Sequence, residues 1–241
     1  MPPLTRRKLL TATLATPIFQ SLEPRAKKLK IIVAGGHPGD PEYGCGGTVA
    51  RYSDLGHNVT LLYLNRGEKG CGSTQSSDCA ATRTSEAQKA CEILKAKPLF
   101  AQQIDGESVL NAASYAEFRR LLEAEKPDVL FTHWPIDGHR DHRAMSMLCY
   151  DAWLQMGRSF GFYYYEVSDG EDSLMFSPTD FVDITGTESR KRAACYAHAS
   201  QAPDRFYSLQ SQVTRFRGVE AGYAQAEGFV RHVKSRSGLL P

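Results

Sequence analysis

The chain has 241 residues, 41% of them hydrophobic, which is the size and composition of a soluble globular protein with one large domain or two small ones. Its formal charge of +2 hides an asymmetry. Residues 1–30 hold seven basic side chains and one acidic one, leaving 22 basic and 26 acidic residues for the rest. A mildly acidic body argues against a nucleic-acid binder, which needs clustered basic residues on one face.

Residues 1–28 are predicted to be an export signal. The segment Thr5-Arg6-Arg7-Lys8-Leu9-Leu10 resembles the bacterial twin-arginine signal, and a moderately apolar stretch follows from Leu9 to Phe19. A disordered basic tail remains the alternative, because no clean Ala-x-Ala cleavage site follows. No apolar run approaches the roughly 20 residues of a membrane-spanning helix. We therefore expect a periplasmic or secreted protein without a stable membrane span, whose single domain covers residues 29–241.

Strand-like and helix-like stretches alternate after residue 28. The predicted strands and helices, in chain order, are strand 29–34, helix 48–55, strand 59–64, helix 82–94, helix 114–125, strand 128–132, helix 139–156 and strand 162–167. A Gly/Pro loop is expected between Gly35 and Gly47, and Ser114 with Glu117 has the spacing of a capping box. This alternation predicts an α/β fold, a Rossmann-like three-layer sandwich with a mostly parallel sheet.

The six cysteines contain no CxxC pair, which argues against a zinc ribbon or a thioredoxin-type site. Cys71 and Cys79 flank a polar loop and either close it with a disulfide or remain free. Cys91, Cys149 and Cys195 lie in helix-like segments, where we expect them to be buried as small hydrophobic residues.

Two segments rich in His and Asp follow predicted strands. They are Ala34-Gly-Gly-His37-Pro-Gly-Asp40-Pro-Glu42, which runs into Gly44-Cys-Gly-Gly47, and His133-Trp-Pro-Ile-Asp137-Gly-His139-Arg-Asp141-His142. Because ligands bind at the carboxyl ends of the strands in such folds, we expect the two segments to converge on one crevice. Three His or carboxylate ligands are typical of catalytic zinc. The histidines at 57, 133, 198 and 232 are interpreted as surface or capping residues.

These segments resemble the PIG-L/LmbE-like de-N-acetylase family, whose members carry Ala-His-Pro-Asp-Asp-Glu before Gly-Cys-Gly-Gly and a later His-x-Asp-His. The resemblance implies Zn²⁺ held by His37, Asp40 and His142, with Fe²⁺ or Co²⁺ as alternatives for such a donor set. It also implies that His139 is catalytic and that Asp141 orients its ring.

The resemblance covers most of the chain after residue 30 and implies removal of an acetyl group from an N-acetylated sugar or related amine, most simply an amino-sugar conjugate. Arg83, Glu68 and Asp105 fall where the family contacts its substrate. The sequence leaves a homo-oligomer possible.

One departure concerns the general base. The family's first Asp of the Asp-Asp pair is Gly39 here, and the following Glu is Pro41. Three interpretations stay open: Glu42 or Asp137 supplies the carboxylate from a shifted position, the metal alone sustains a slow reaction, or catalysis is lost. In the last case the chain is a metal-retaining, carbohydrate-binding protein without catalysis.

Overall fold

The structure is a computed structural model that describes residues 27–241. Nearly all of the predicted export signal, residues 1–28, lies outside the described residues. The signal and its boundary with the domain at residue 29 therefore stay predictions.

The described chain contains seven strands, six α-helices and one short 3₁₀ turn. The strands are β1 (Lys30–Gly35), β2 (Asn58–Tyr63), β3 (Lys97–Phe100), β4 (Val129–His133), β5 (Gly161–Tyr165), β6 (Asp180–Asp183) and β7 (Ala226–Arg231). The helices are α1 (Asp40–Asp54), α2 (Ser76–Leu94), α3 (Ala112–Glu125), α4 (Arg140–Gln155), α5 (Glu188–Tyr196) and α6 (Pro203–Ala221), and the 3₁₀ turn is Ala199–Gln201.

All seven strands form one sheet in the order β3-β2-β1-β4-β5-β7-β6. Strands β1 to β5 are parallel, and β7 pairs antiparallel with both β5 and β6. Alternate residues of β1 point to opposite faces, so Val33 packs with residues of α1, α2 and α5 while Ile32 packs with α3 and α4. Helices thus cover both faces, and the predicted Rossmann-like three-layer sandwich is confirmed.

Helix α1 corrects the predicted Gly/Pro loop, because the helix begins at Asp40 instead of near residue 48. Glycine is a poor helix former, which hid this start in the sequence. The glycines serve close packing: a side chain on Gly44 would collide with the ring of Tyr165, and a Cβ on Gly47 would lie 2.5 Å from Ile184. Helix α1 can therefore approach the sheet closely beside the site.

The start of α3 is a second correction. Asn111 caps this helix, since its side chain accepts a hydrogen bond from the backbone N–H of Ser114 at 3.0 Å. Ser114 in turn accepts one from the N–H of Asn111 at 2.9 Å, so the capping box lies three residues earlier than predicted. Helix α2 also begins earlier, at Ser76. Strands β3, β6 and β7 and helix α6 were not predicted, and α5 was indicated only by the helix-like segment around Cys195.

A disulfide joins Cys71, in the polar loop after β2, to Cys79, in the first turn of α2. Cys91, Cys149 and Cys195 are buried, as predicted, and so is Cys45. Between residues 27 and 241, no helix is both long and apolar enough to cross a membrane.

Candidate functional site

The two His/Asp segments meet because β1 and β4 are neighbours in the sheet, with Ala34 paired to Thr132. The chain runs from β1 to β2 on one side and from β4 to β5 on the other, so the point between β1 and β4 is where the strand order reverses. Open α/β sheets leave a crevice at the carboxyl ends of such strands. His37 lies in the loop after β1, and Asp40 and His142 lie in the first turns of α1 and α4.

His37, Asp40 and His142 are disposed around a common centre. Asp40 Oδ2 is 3.3 Å from His37 Nδ1 and 3.2 Å from His142 Nε2. These separations lie within hydrogen-bonding range, like the other His–carboxylate contacts of the site. They are also close to the spacing of about 3.3 Å between donors that each lie about 2.0–2.1 Å from a tetrahedral ion. These residues belong to three overlapping groups whose ligand atoms lie within 4.8 Å of one another and could hold a metal ion: His37 with His139 and His142, Asp40 with His133 and His142, and His37 with Asp105 and Asp141.

The second nitrogen of each ring faces carboxylates. His37 Nε2 lies 3.2 Å from Asp105 Oδ1 and 3.2 Å from Asp141 Oδ2, while His142 Nδ1 lies 3.1 Å from Asp137 Oδ1. Such contacts fix the orientation and tautomer of metal-ligating histidines. The atoms left for an ion are His37 Nδ1 and His142 Nε2.

The electrostatics of this cluster favour positive charge. Burial lowers the pKa of His142, but the carboxylates of Asp40 and Asp137 outweigh it and raise the pKa to about 9. Burial also opposes the shift at His37, where Asp105, Asp141 and Asp40 raise the pKa well above its usual value. Buried carboxylates around imidazoles stabilise a cation at this place.

Asp141 does not orient His139 in the way the sequence suggested. Its carboxylate accepts hydrogen bonds from Ser108 Oγ at 2.6 Å and from the N–H of Gly106 at 2.7 Å, besides facing His37. Only the backbone N–H of Asp141 contacts His139, donating to Nδ1 at 3.3 Å. The His139 ring is half-buried and lies 4.6 Å from the His37 ring, centroid to centroid. Its Nε2 is therefore the nitrogen available to a ligand.

Glu42 lies deeper than a base that must reach water. It is fully buried, and its Oε1 lies 2.8 Å from the Tyr63 hydroxyl and 2.9 Å from His198 Nε2. Its Oε2 accepts the N–H of Gly39 at 3.2 Å. The surface interpretation of His198 is wrong, because this ring is buried on Glu42.

The surface interpretation of His133 is also wrong. The ring is fully buried and stacks on that of His142 with 3.9 Å between centroids. Its Nε2 accepts the N–H of Gly36 at 3.0 Å, and burial with the neighbouring His142 lowers its pKa to about 4. A neutral His133 thus supports the ring of His142. Its position at the end of a buried strand was the only signal for this in the sequence.

A cavity of about 130 Å³ adjoins Asp40. Its lining residues are Pro38, Gly39, Asp40, Tyr43, Arg83, Val167, Ser168, Asp172, His198, Gln201 and Phe206. Apolar side chains and the charged groups of Asp40, Arg83 and Asp172 together form its wall. Gly39 adopts φ +111°, and a Cβ there would meet nothing closer than Tyr43 and His198 ring atoms at 3.8–3.9 Å.

Of the three predicted substrate contacts, only Arg83 lines this cavity. Arg83 is buried, donates from Nη2 to the carbonyl of Pro38, and its Nε has no partner within residues 27–241. Asp105 faces His37 instead. Glu68 accepts the N–H of Asp105 at 3.2 Å and so holds the loop that carries Asp105.

Fold and site together define a Rossmann-like α/β protein with a His/Asp cluster that fits a divalent metal ion. Residues 32–153, half of the chain, match the PIG-L family, described as GlcNAc-PI de-N-acetylase. The chain belongs to the PIG-L family, as its motifs indicated. Deacetylases of this family are metal-dependent, and by class the chain is a hydrolytic deacetylase.

Known proteins share the sequence pattern or the fold of this chain. A diacetylchitobiose deacetylase from Thermococcus kodakarensis is 27% identical over 246 residues, covering 90% of this chain and 88% of the relative. The crystal structure of the conserved protein TT1542 from Thermus thermophilus superposes with a TM-score of 0.76 at 26% identity, covering 87% of this chain and 97% of that one. The 4-carboxy-2-hydroxymuconate hydratase from Pseudomonas putida reaches 0.78 at 21% identity, covering 88% and 100%. The fold alone therefore does not select the reaction.

Proposed function

We propose that the protein is a zinc-dependent hydrolase that removes the acetyl group from an N-acetylated amino sugar. The donor geometry of His37, Asp40 and His142 carries this proposal. The two-His, one-carboxylate set suits Zn²⁺, although Fe²⁺ and Co²⁺ accept the same donors. Bound zinc supplies a Lewis acid that activates water and polarises the acetyl carbonyl.

His139 acts in this proposal as a hydrogen-bond donor to the acetyl oxygen. Because its Nδ1 accepts the backbone N–H of Asp141, the ring proton is assigned to Nε2. Burial and the neighbouring rings of His37 and His142 lower the pKa of His139, which favours the neutral ring. A neutral ring with its N–H directed at the substrate stabilises negative charge developing on the carbonyl oxygen.

Arg83 is the proposed substrate-binding residue. Its guanidinium lies in the cavity wall next to Gly39, and a guanidinium carries several N–H donors that sugar or acetyl oxygens can accept from. Glu68 and Asp105 act indirectly in this scheme, since they hold the loop and ring of the metal site. The deacetylation of diacetylchitobiose by a relative supports an N-acetylglucosamine-type sugar as the substrate.

Acetate release tests this function directly. Purified, metal-analysed protein is assayed with N-acetylglucosamine and N,N′-diacetylchitobiose, with and without chelator, and after Zn²⁺ is restored. We expect acetate release that the chelator abolishes and Zn²⁺ restores. Sugar binding without acetate release would instead identify a metal-retaining, carbohydrate-binding protein.

We also propose that the protein works in the periplasm or outside the cell. The disulfide between Cys71 and Cys79 supports this location, because disulfides persist in oxidising compartments. Replacing Arg6 and Arg7 by Lys should retain the protein in the cytoplasm. Unchanged export of that variant would refute the twin-arginine signal.

A further inference from the structure

The carboxylate missing at Gly39 has a replacement in the wall of the same cavity. We propose that Asp172 is the general base of this enzyme, an inference that rests on the proposed deacetylase function. Asp172 lies in the turn between β5 and β6 and lines the cavity together with Gly39 and Asp40. No motif in the sequence pointed to it.

The other buried carboxylates near the donors are engaged at both oxygens. Asp105 faces His37 through Oδ1 and accepts the N–H of Lys69 through Oδ2. Asp137 faces His142 through Oδ1 and accepts the hydroxyl of Ser173 through Oδ2. A base must offer a lone pair to the attacking water, and the contacts already made by these oxygens restrict the directions from which a water could donate.

Asp141 and Glu42 are engaged in the same way. Asp141 accepts Ser108 at Oδ1 and Gly106 at Oδ2. Glu42 contacts His198 at Oε1 and accepts Gly39 at Oε2, and it is absent from the cavity lining. Both carboxylates therefore support the site structure and do not reach a water in the cavity.

Asp172 differs from all four. Its carboxylate has no hydrogen-bond partner among residues 27–241, although the side chain is partly buried in the cavity wall. Burial in the cavity wall is the largest cause that raises the pKa of Asp172. A partly buried carboxylate that faces the cavity accepts a proton more readily than one in water.

The backbone around Asp172 is fixed to the catalytic segment. The carbonyl of Asp172 accepts the N–H of Gly138 at 2.8 Å, one residue before His139. The N–H of Asp172 donates to the carbonyl of Ser168 at 3.0 Å, and Ser173 forms a bridge with Asp137. These bonds hold the turn against the metal site, which is the preorganisation that a catalytic group needs.

In the proposed reaction, Asp172 carries one proton from the attacking water to the leaving amine. Asp172 takes a proton from water while the water oxygen bonds to the acetyl carbon. The electron pair of the carbonyl bond moves to the carbonyl oxygen, which accepts a hydrogen bond from the N–H of His139. The pair then returns, the C–N bond breaks, and the nitrogen receives the proton held by Asp172. Acetic acid and the free amine result, and the acid loses its proton to solvent.

The experiment compares three variants of the full chain, Asp172→Asn, Asp172→Ala and Glu171→Gln. Glu171 is the exposed neighbour and serves as the matched control. We expect about 10²- to 10⁴-fold lower kcat for both Asp172 variants, with metal content unchanged, and unaltered kcat for Glu171→Gln. Added formate should restore part of the activity of Asp172→Ala by occupying the vacated space, and should leave Asp172→Asn unchanged.

The possible failures are distinguishable. If the natural protein releases acetate and Asp172→Asn loses less than about tenfold, the base assignment is wrong and the deacetylase function stands. If formate does not rescue a folded, metal-loaded Asp172→Ala, Asp172 is not a base. If the natural, metal-loaded protein releases no acetate from any acetylated amino sugar, the proposed function fails, and the base role fails with it.

Discussion

Two sides of the candidate site differ in how fully their polar groups are hydrogen-bonded. On the donor side, formed by His37, Asp40 and His142, each ring nitrogen that does not face the common centre is matched to a carboxylate at 3.1–3.2 Å. On the cavity side, Arg83 and Asp172 line the wall, and the carboxylate of Asp172 has no hydrogen-bond partner among residues 27–241. Saturated hydrogen bonding fixes a metal, whereas a carboxylate without a partner remains available for a substrate. The difference separates residues that hold the ion from residues that meet the substrate.

Among the variants of the donor side, His142→Ala should cause the largest loss of metal binding and activity. Loss of one of three ligands removes the ion, and several kcal/mol of transition-state stabilisation disappear with it, or about a 10³-fold loss in kcat/KM. The measurement is metal content by elemental analysis together with acetate release. The control is His232→Ala, which alters a ring just after strand β7. Full metal content in His142→Ala would show that the donor set is wrong.

The disulfide between Cys71 and Cys79 is the next test, because it anchors the end of the loop that runs from β2 past Arg83 to α2. Earlier in that loop, a Cβ on Gly67 would lie 2.8 Å from Arg83 Nη1, and Gln201 Nε2 donates to the carbonyl of Gly70 at 3.2 Å. Replacing both cysteines by Ala should cost about 2–3 kcal/mol of unfolding free energy. It should also raise KM while metal content is kept, since the change falls on the cavity side.

Denaturant unfolding with and without reductant measures this cost. The double variant should lose its sensitivity to reductant, while a Cys149→Ala control, which alters a buried free thiol, should retain it. An unchanged KM in the double variant would show that the loop does not support Arg83.

Asp137→Asn distinguishes a residue that supports a metal ligand from a residue that acts in the reaction. Asp137 faces His142 Nδ1, so its loss should weaken metal binding by about 10- to 100-fold without removing a ligand. Excess Zn²⁺ should therefore restore the activity of Asp137→Asn, but not that of Asp172→Asn. Titration with Zn²⁺ while acetate release is followed checks both. If excess zinc fails to rescue Asp137→Asn, Asp137 has a direct role in the chemistry.

The sequence indicated that the segments carrying His37, Asp40 and His142 meet, but gave no sign of Asp172, and the reason is physical. The donors follow buried apolar strands, and parallel strands place their carboxyl ends at one edge, so local patterns suffice to bring His37 and His142 together. Asp172 depends on a turn held by Gly138 and Ser168, contacts that no local pattern records. Long-range packing decides which carboxylates keep a free oxygen.

The glycines of α1 also show that long-range packing decides what local sequence patterns cannot. Their low helix propensity predicts a loop, yet Gly44 and Gly47 lie in a helix because Tyr165 and Ile184 leave no space for a side chain. Tertiary packing overrides propensity here. Strands β6 and β7 were missed because each holds only a few apolar residues among charged residues or glycine.

The smallest expected effect comes from Gly39→Asp. This variant restores the carboxylate that the resembled Ala-His-Pro-Asp-Asp-Glu motif has at this position and tests whether the cavity side needs it. Gly39 has φ +111°, so any side chain at this position costs about 1–2 kcal/mol in backbone strain even though ring atoms leave space for a Cβ. Gly39→Ala carries the same strain without the carboxylate and is the matched control. With Asp172 as base, both variants should lose similar stability in thermal unfolding, and Gly39→Asp should gain no kcat over Gly39→Ala. A large gain confined to Gly39→Asp would mean that the natural chain works without a base and that the carboxylate of Asp172 does not replace the missing one.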